Sequence, residues 1–160
     1  TQEGITPLHL AARGGHLATI KLLLGLQSNS EAVTKSGLAV LHIAIQEGNR
    51  SAVELLLEEG VDVNSRTAKG ITGLHIACKE SNAPLAALLL KHKADPNART
   101  AHGITALHLC VLERLDDVAK QLLAAGADPH QVDGDGESAY SMASRAQRLL
   151  LFDDASVPPP

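Results

Sequence analysis

The sequence is poor in aromatic residues: its 160 positions hold one Tyr, one Phe and no Trp. Without large flat side chains, any core has to be assembled from Leu, Ile, Val and Ala, a palette that suits thin helical layers better than one thick centre. Cysteine is scarce too. Cys78 and Cys110 are too few for a small secreted disulfide scaffold and read as small core residues in a reducing compartment, cytoplasm in preference to nucleus. Basic excess is missing, since 14 Lys and Arg face 18 Asp and Glu for a formal net charge of -4. With almost no aromatic to stack on bases, this composition argues against a nucleic-acid partner. No apolar run approaches the ~20 residues that cross a bilayer, and no secretory signal is visible, so direct membrane insertion is not expected.

What the chain has instead is a period. His9, His42, His75 and His108 follow one another at intervals of 33 residues, and each closes a similar phrase. The phrase is Gly4-Ile5-Thr6-Pro7-Leu8-His9, then Gly37-Leu38-Ala39-Val40-Leu41-His42, Gly70-Ile71-Thr72-Gly73-Leu74-His75 and Gly103-Ile104-Thr105-Ala106-Leu107-His108. A fifth copy, Gly136-Glu137-Ser138-Ala139-Tyr140-Ser141, keeps the glycine and loses the histidine. Fixed-period similarity of this length means stacked repeats, each unable to bury its apolar face alone.

Within each repeat, the Thr before Pro or a small residue offers an oxygen to a helix start, and Pro7 stands where a first-turn proline costs nothing. Leu8, Leu41, Leu74 and Leu107 share one buried phase of this short helix. Leu10, Ile43, Ile76 and Leu109 share a second, and the small Ala11, Ala44, Ala77 and Cys110 a third, where neighbouring layers approach closely. Gly15 and Gly48 end the helix, whereas Ser81 and Arg114 at the same phase predict strained turns. A second helix carries Leu23-Leu24, Leu56-Leu57, Leu89-Leu90 and Leu122-Leu123 in register. Turn-forming phrases close it: Gly60-Val61-Asp62-Val63-Asn64, Lys93-Ala94-Asp95-Pro96-Asn97 and Gly126-Ala127-Asp128-Pro129-His130. The first copy, Gln27-Ser28-Asn29-Ser30-Glu31, has lost that phrase.

These residues resemble the ankyrin repeat, in the glycine, the Thr-Pro-Leu-His phrase, the leucine-rich second helix and the Gly-Ala-Asp-Pro-Asn type of ending. The resemblance implies an all-α solenoid, helix-turn-helix plus a projecting β-hairpin finger per repeat, with a concave face made of fingers and first helices. One domain is expected over residues 1–152, with repeats at about 4–36, 37–69, 70–102 and 103–135 and a shortened capping repeat at 136–152. The apolar run Leu149-Leu150-Leu151-Phe152 comes several residues early for a full repeat, and a Pro-ending tail, 153–160, is expected to be disordered. The first helix carries no extra charge on its outer side, so a further repeat or domain is expected to cover it.

Four histidines at one phase invite a metal reading. Stacked helices stand roughly 10 Å apart, too far for shared zinc bonds of about 2 Å. The expected role is structural, each ring bonding a Thr hydroxyl or loop backbone, and His42, with Ala39 in place of Thr, is expected to be less well held. No nucleophile-base pair, paired carboxylate or phosphate loop is present, so no enzyme activity, metal or cofactor is expected. By resemblance, binding positions lie after each repeat glycine, at the finger tips and at the first-helix ends. Ile5, Leu38, Ile71 and Ile104 either form an aliphatic stripe along the concave face, which Leu112 extends, or tuck against the neighbouring fingers. Lys35, Arg66, Lys69, Arg99 and His102 form a finger-tip row of basic character, and Arg13 and Lys79 stand at helix ends. The expected function is a protein-protein interaction module, monomeric as a segment, that binds a peptide or partner domain with acidic groups on its concave face. It would belong to a larger intracellular adaptor, scaffold or regulatory protein. The alternative is a spacer that positions an attached enzyme or lipid-binding domain.

Overall fold

The computed structural model describes residues 3–26 and 28–145. Among them are nine helices: Pro7–Arg13 (α1), Leu17–Gly25 (α2), Val40–Gln46 (α3), Arg50–Glu58 (α4), Gly73–Lys79 (α5), Ala83–Lys91 (α6), Ala106–Leu112 (α7), Asp116–Ala124 (α8) and Ala139–Arg145 (α9). Each odd helix touches the next odd helix and, through α8, the even helix that follows it, so α1, α3, α5, α7 and α9 form an inner row backed by α2, α4, α6 and α8. The expected leucine run of the last repeat and the tail at 153–160 lie outside the described residues.

The apolar phases fill the space between layers. Leu8, Leu41, Leu74 and Leu107 are all buried, as are Ala11, Ala44, Ala77 and Cys110, where small side chains let the inner helices approach. The second phase departs from expectation at one end. Ile43 and Ile76 are buried and Leu109 is half-buried, but Leu10 is exposed, as are Leu22 on α2 and Leu26 just past its end, where no described layer packs against α1 and α2 on that side. Cys78 on α5 meets Cys110 on α7, Sγ to Sγ 3.4 Å, with both side chains buried. Contact with the Cys110 thiol, together with burial, holds the Cys78 thiol in its protonated form far above the ordinary range.

Backbone geometry marks the turns between paired helices. Gly15 and Gly48 have φ of 66° and 68°, and Ser81 and Arg114 adopt the same left-handed conformation at 53° and 60°. A third residue, Lys93, does so at 64°, where Gly60 and Gly126 stand in other repeats. Left-handed backbone crowds any side chain that has a Cβ, so these three positions carry strain their glycine counterparts avoid.

The fingers are closed turns rather than paired strands. Thr67 N–H donates to the Ile71 carbonyl at 2.9 Å and Thr100 N–H to the Ile104 carbonyl at 2.9 Å. The Thr34, Thr67 and Thr100 hydroxyls each accept from the backbone N–H four residues on. Extended pairing among the described residues is limited to single bridges, Val33 to Ala39 and Val132 to Ser138. Beyond these bridges no strand pair of a hairpin is seen among the described residues, and a threonine-braced turn satisfies the polar groups at each of these three turns.

Candidate functional site

The site is built on the repeated histidine. Thr72 caps the start of α5, and its backbone N–H (3.3 Å) and hydroxyl (2.8 Å) both bond Nδ1 of His75. The opposite nitrogen, Nε2, lies 3.0 Å from the Ile104 carbonyl in the next finger. A backbone N–H can only donate and a carbonyl only accept, so the ring is neutral with its proton on Nε2. His108 repeats this arrangement with Thr105 and the Glu137 carbonyl. Each ring thus fastens one repeat to the finger of the next. Burial pushes His9, His42 and His75 below the usual histidine range, because a charged ring would lose its hydration there.

Two copies differ. His42 has no threonine hydroxyl, yet Ala39 N–H still bonds Nδ1 at 3.0 Å and Nε2 reaches the Ser65 carbonyl at 3.0 Å. One bond is lost and the ring remains fully buried. At His9 the Thr6 hydroxyl and N–H hold Nδ1, but Nε2 has no hydrogen-bond partner among the described residues.

Fixing the fingers against the inner helices leaves a groove in the angle between them. It holds a pocket of about 250 Å³. Leu38, Ile71 and Ile104 line it from the fingers, and Ile76 and Leu109 from the inner helices. Lys69 and His102 at two finger tips and Lys79 at the end of α5 also line it, as does Glu80. The pocket thus collects six of the sequence-marked residues: Leu38, Ile71, Ile104, Lys69, His102 and Lys79. Ile71 also packs one side against the core, unlike Leu38 and Ile104.

The other marked residues are placed elsewhere. Ile5 lies just before α1, Lys35 in the turn between α2 and α3, and Leu112, 59% exposed, at the end of α7; none lines the pocket. Arg13 faces Glu47 at 3.9 Å. Arg66 and Arg99 are structural ties. The Arg66 guanidinium donates to the Arg99 carbonyl in the next finger, and that of Arg99 donates to the Val132 carbonyl at 2.8 Å. Each arginine passes beside a repeat glycine, Gly70 or Gly103, where an added Cβ would come within about 3 Å of the guanidinium. The stripe ends at Glu137, whose carboxylate is held low by the Ser141 hydroxyl and by Arg145.

Sequence reading missed Ile76 and Leu109 as groove residues because their phase is shared with core positions. Only the concavity between layers shows that this phase can face both ways. Among the described residues, no group of three or more His, Cys, Asp or Glu is gathered as a metal site requires, and no helix is long and apolar enough to cross a membrane. A family model described as ankyrin repeats, in three copies, matches residues 1–67 and 59–133. No curated protein matches the chain.

Proposed function

Because the chain belongs to the ankyrin-repeat family, whose members generally act as protein-protein interaction modules, we propose that it binds a peptide or partner domain in the groove between fingers and inner helices. The observation that carries this reading is the pocket itself, where three aliphatic side chains of the stripe stand half-buried beside lysines that have no ion-pair partner among the described residues. Half-exposed aliphatics that share one concavity can be desolvated together by a ligand, and the rigid scaffold lowers the ordering cost of binding. A binding role agrees with the family, and His42, His75 and His108 serve as struts to the next turn or finger. An adaptor or scaffold within the cytoplasm or nucleus is the setting that fits, with the two thiols kept reduced.

The test uses ligands selected on the chain from a displayed library of random peptides. Ile104→Asp and Leu38→Asp should each abolish binding of those ligands while the far-ultraviolet circular dichroism stays unchanged, because neither side chain packs on the core. Ligands that bind both variants as well as the parent would place the binding surface elsewhere.

A further inference from the structure

Building on that reading, we propose that the ligand is a short acidic segment. It seats one aliphatic or aromatic side chain in the pocket and turns a neighbouring carboxylate to Lys69 and Lys79. Size selects the first half. At about 250 Å³ the pocket falls below the ~300–1,000 Å³ clefts that enclose small-molecule ligands. It is also open along the groove, so it suits a single anchor side chain projecting from a longer chain.

Charge selects the second half. The cations near the fingers divide into those already engaged and those left over. Arg66 and Arg99 are bound to carbonyl oxygens, Arg13 faces Glu47, and Arg145 is paired with Glu137. Lys69 and Lys79 both line the pocket, both are exposed, and neither has an ion-pair partner among the described residues. They approach from opposite walls, one from a finger tip and one from the end of α5, against the single acidic lining residue, Glu80. An apolar floor between two unpaired lysines complements an apolar side chain beside a carboxylate, and rejects a basic neighbour by like-charge repulsion.

The peptides selected from the random library serve as probes. We expect them to contain Leu, Ile or Phe next to Asp or Glu. Replacing the acid by Asn or Gln should weaken binding about tenfold, and so should the double variant Lys69→Glu/Lys79→Glu. Affinity should also fall with added salt in the parent protein, a measurement that needs no variant to fold. Peptides that require Leu38 and Ile104 but lack acids and bind the double variant unchanged would overturn the acidic ligand and leave the groove reading intact. Peptides indifferent to Ile104→Asp would overturn both. An empty selection would count against the anchor pocket.

Discussion

Replacing His75 by alanine tests whether the repeats are fastened as described. The ring is 2% exposed and bridges Thr72 to the Ile104 carbonyl. That carbonyl keeps a second donor, Thr100 N–H at 2.9 Å, and so is not orphaned by the change. The buried Thr72 N–H does lose its acceptor, at a cost of about 1 to 3 kcal/mol. The vacated ring adds a cavity penalty, so His75→Ala should lower stability by about 3 kcal/mol in all. A pH signature accompanies it. Burial lowers the folded pKa of His75 below its ordinary 6.5, so below that pH the unfolded chain takes up a proton that the folded chain resists. Stability is therefore complete above pH 6.5 and falls as the pH drops below it, by up to about 1.4 kcal/mol per pH unit for each such histidine. His9 and His42 share the direction. Urea unfolding followed by circular dichroism at pH 7.5 and 5.5 would show the parent losing stability on acidification and His75→Ala losing less. Parallel losses in the two proteins, or a cost at pH 7.5 below about 0.5 kcal/mol, would refute the strut.

Other substitutions test separate features. Lys93→Gly should raise stability by about 0.5 to 1 kcal/mol, the left-handed strain relieved less the entropy a glycine adds to the unfolded chain, and thermal unfolding would show it. Ala39→Thr should restore to His42 the hydroxyl bond found at His9, His75 and His108 and stabilise by about 1 kcal/mol, read by urea titration. Arg99→Met, which removes the tie to Val132, should speed amide exchange across residues 132 to 137 while leaving the second repeat unchanged.

The helices were legible because each rests on a local rule repeated several times over. Thr6, Thr72 and Thr105 stand as helix caps where the phrase placed them, and the strain expected at Ser81 and Arg114 is present as positive φ. The strain at Lys93 is illegible in the sequence because its turn phrase is satisfied by residue type alone, and only the backbone shows the lysine in the left-handed conformation of Gly60 and Gly126. The site was legible as a row of positions and illegible as a pocket. Leu38, Ile71 and Ile104 stand at positions that the family resemblance marks, but Ile76 and Leu109 are drawn in only by the angle between helix and finger. Arg66 and Arg99 each carry a tie between fingers that the sequence does not show. A guanidinium at a loop tip looks solvated until the next finger, 33 residues away, brings a carbonyl to it.

The meeting of Cys78 and Cys110 implies a rule of coupled substitution. The contact joins the last buried position of one inner helix to the small-residue position of the next. At the equivalent places the partners are Ala12 with Ala44, Ile45 with Ala77, and Val111 with Ala143, all buried. One gap per interface is thus shared between two side chains. Alanine on the second side accompanies Ile45 and Val111 as well as the small Ala12, so the space opposite it admits side chains of several sizes, and the cysteines divide it evenly. Such positions should drift together rather than singly: Cys78→Ile is compatible with Cys110→Ala, and Cys110→Val overfills the gap unless Cys78 shrinks. Sulfur holds an intermediate place in that exchange, a size from which either neighbour's arrangement can be reached by substitution at two positions.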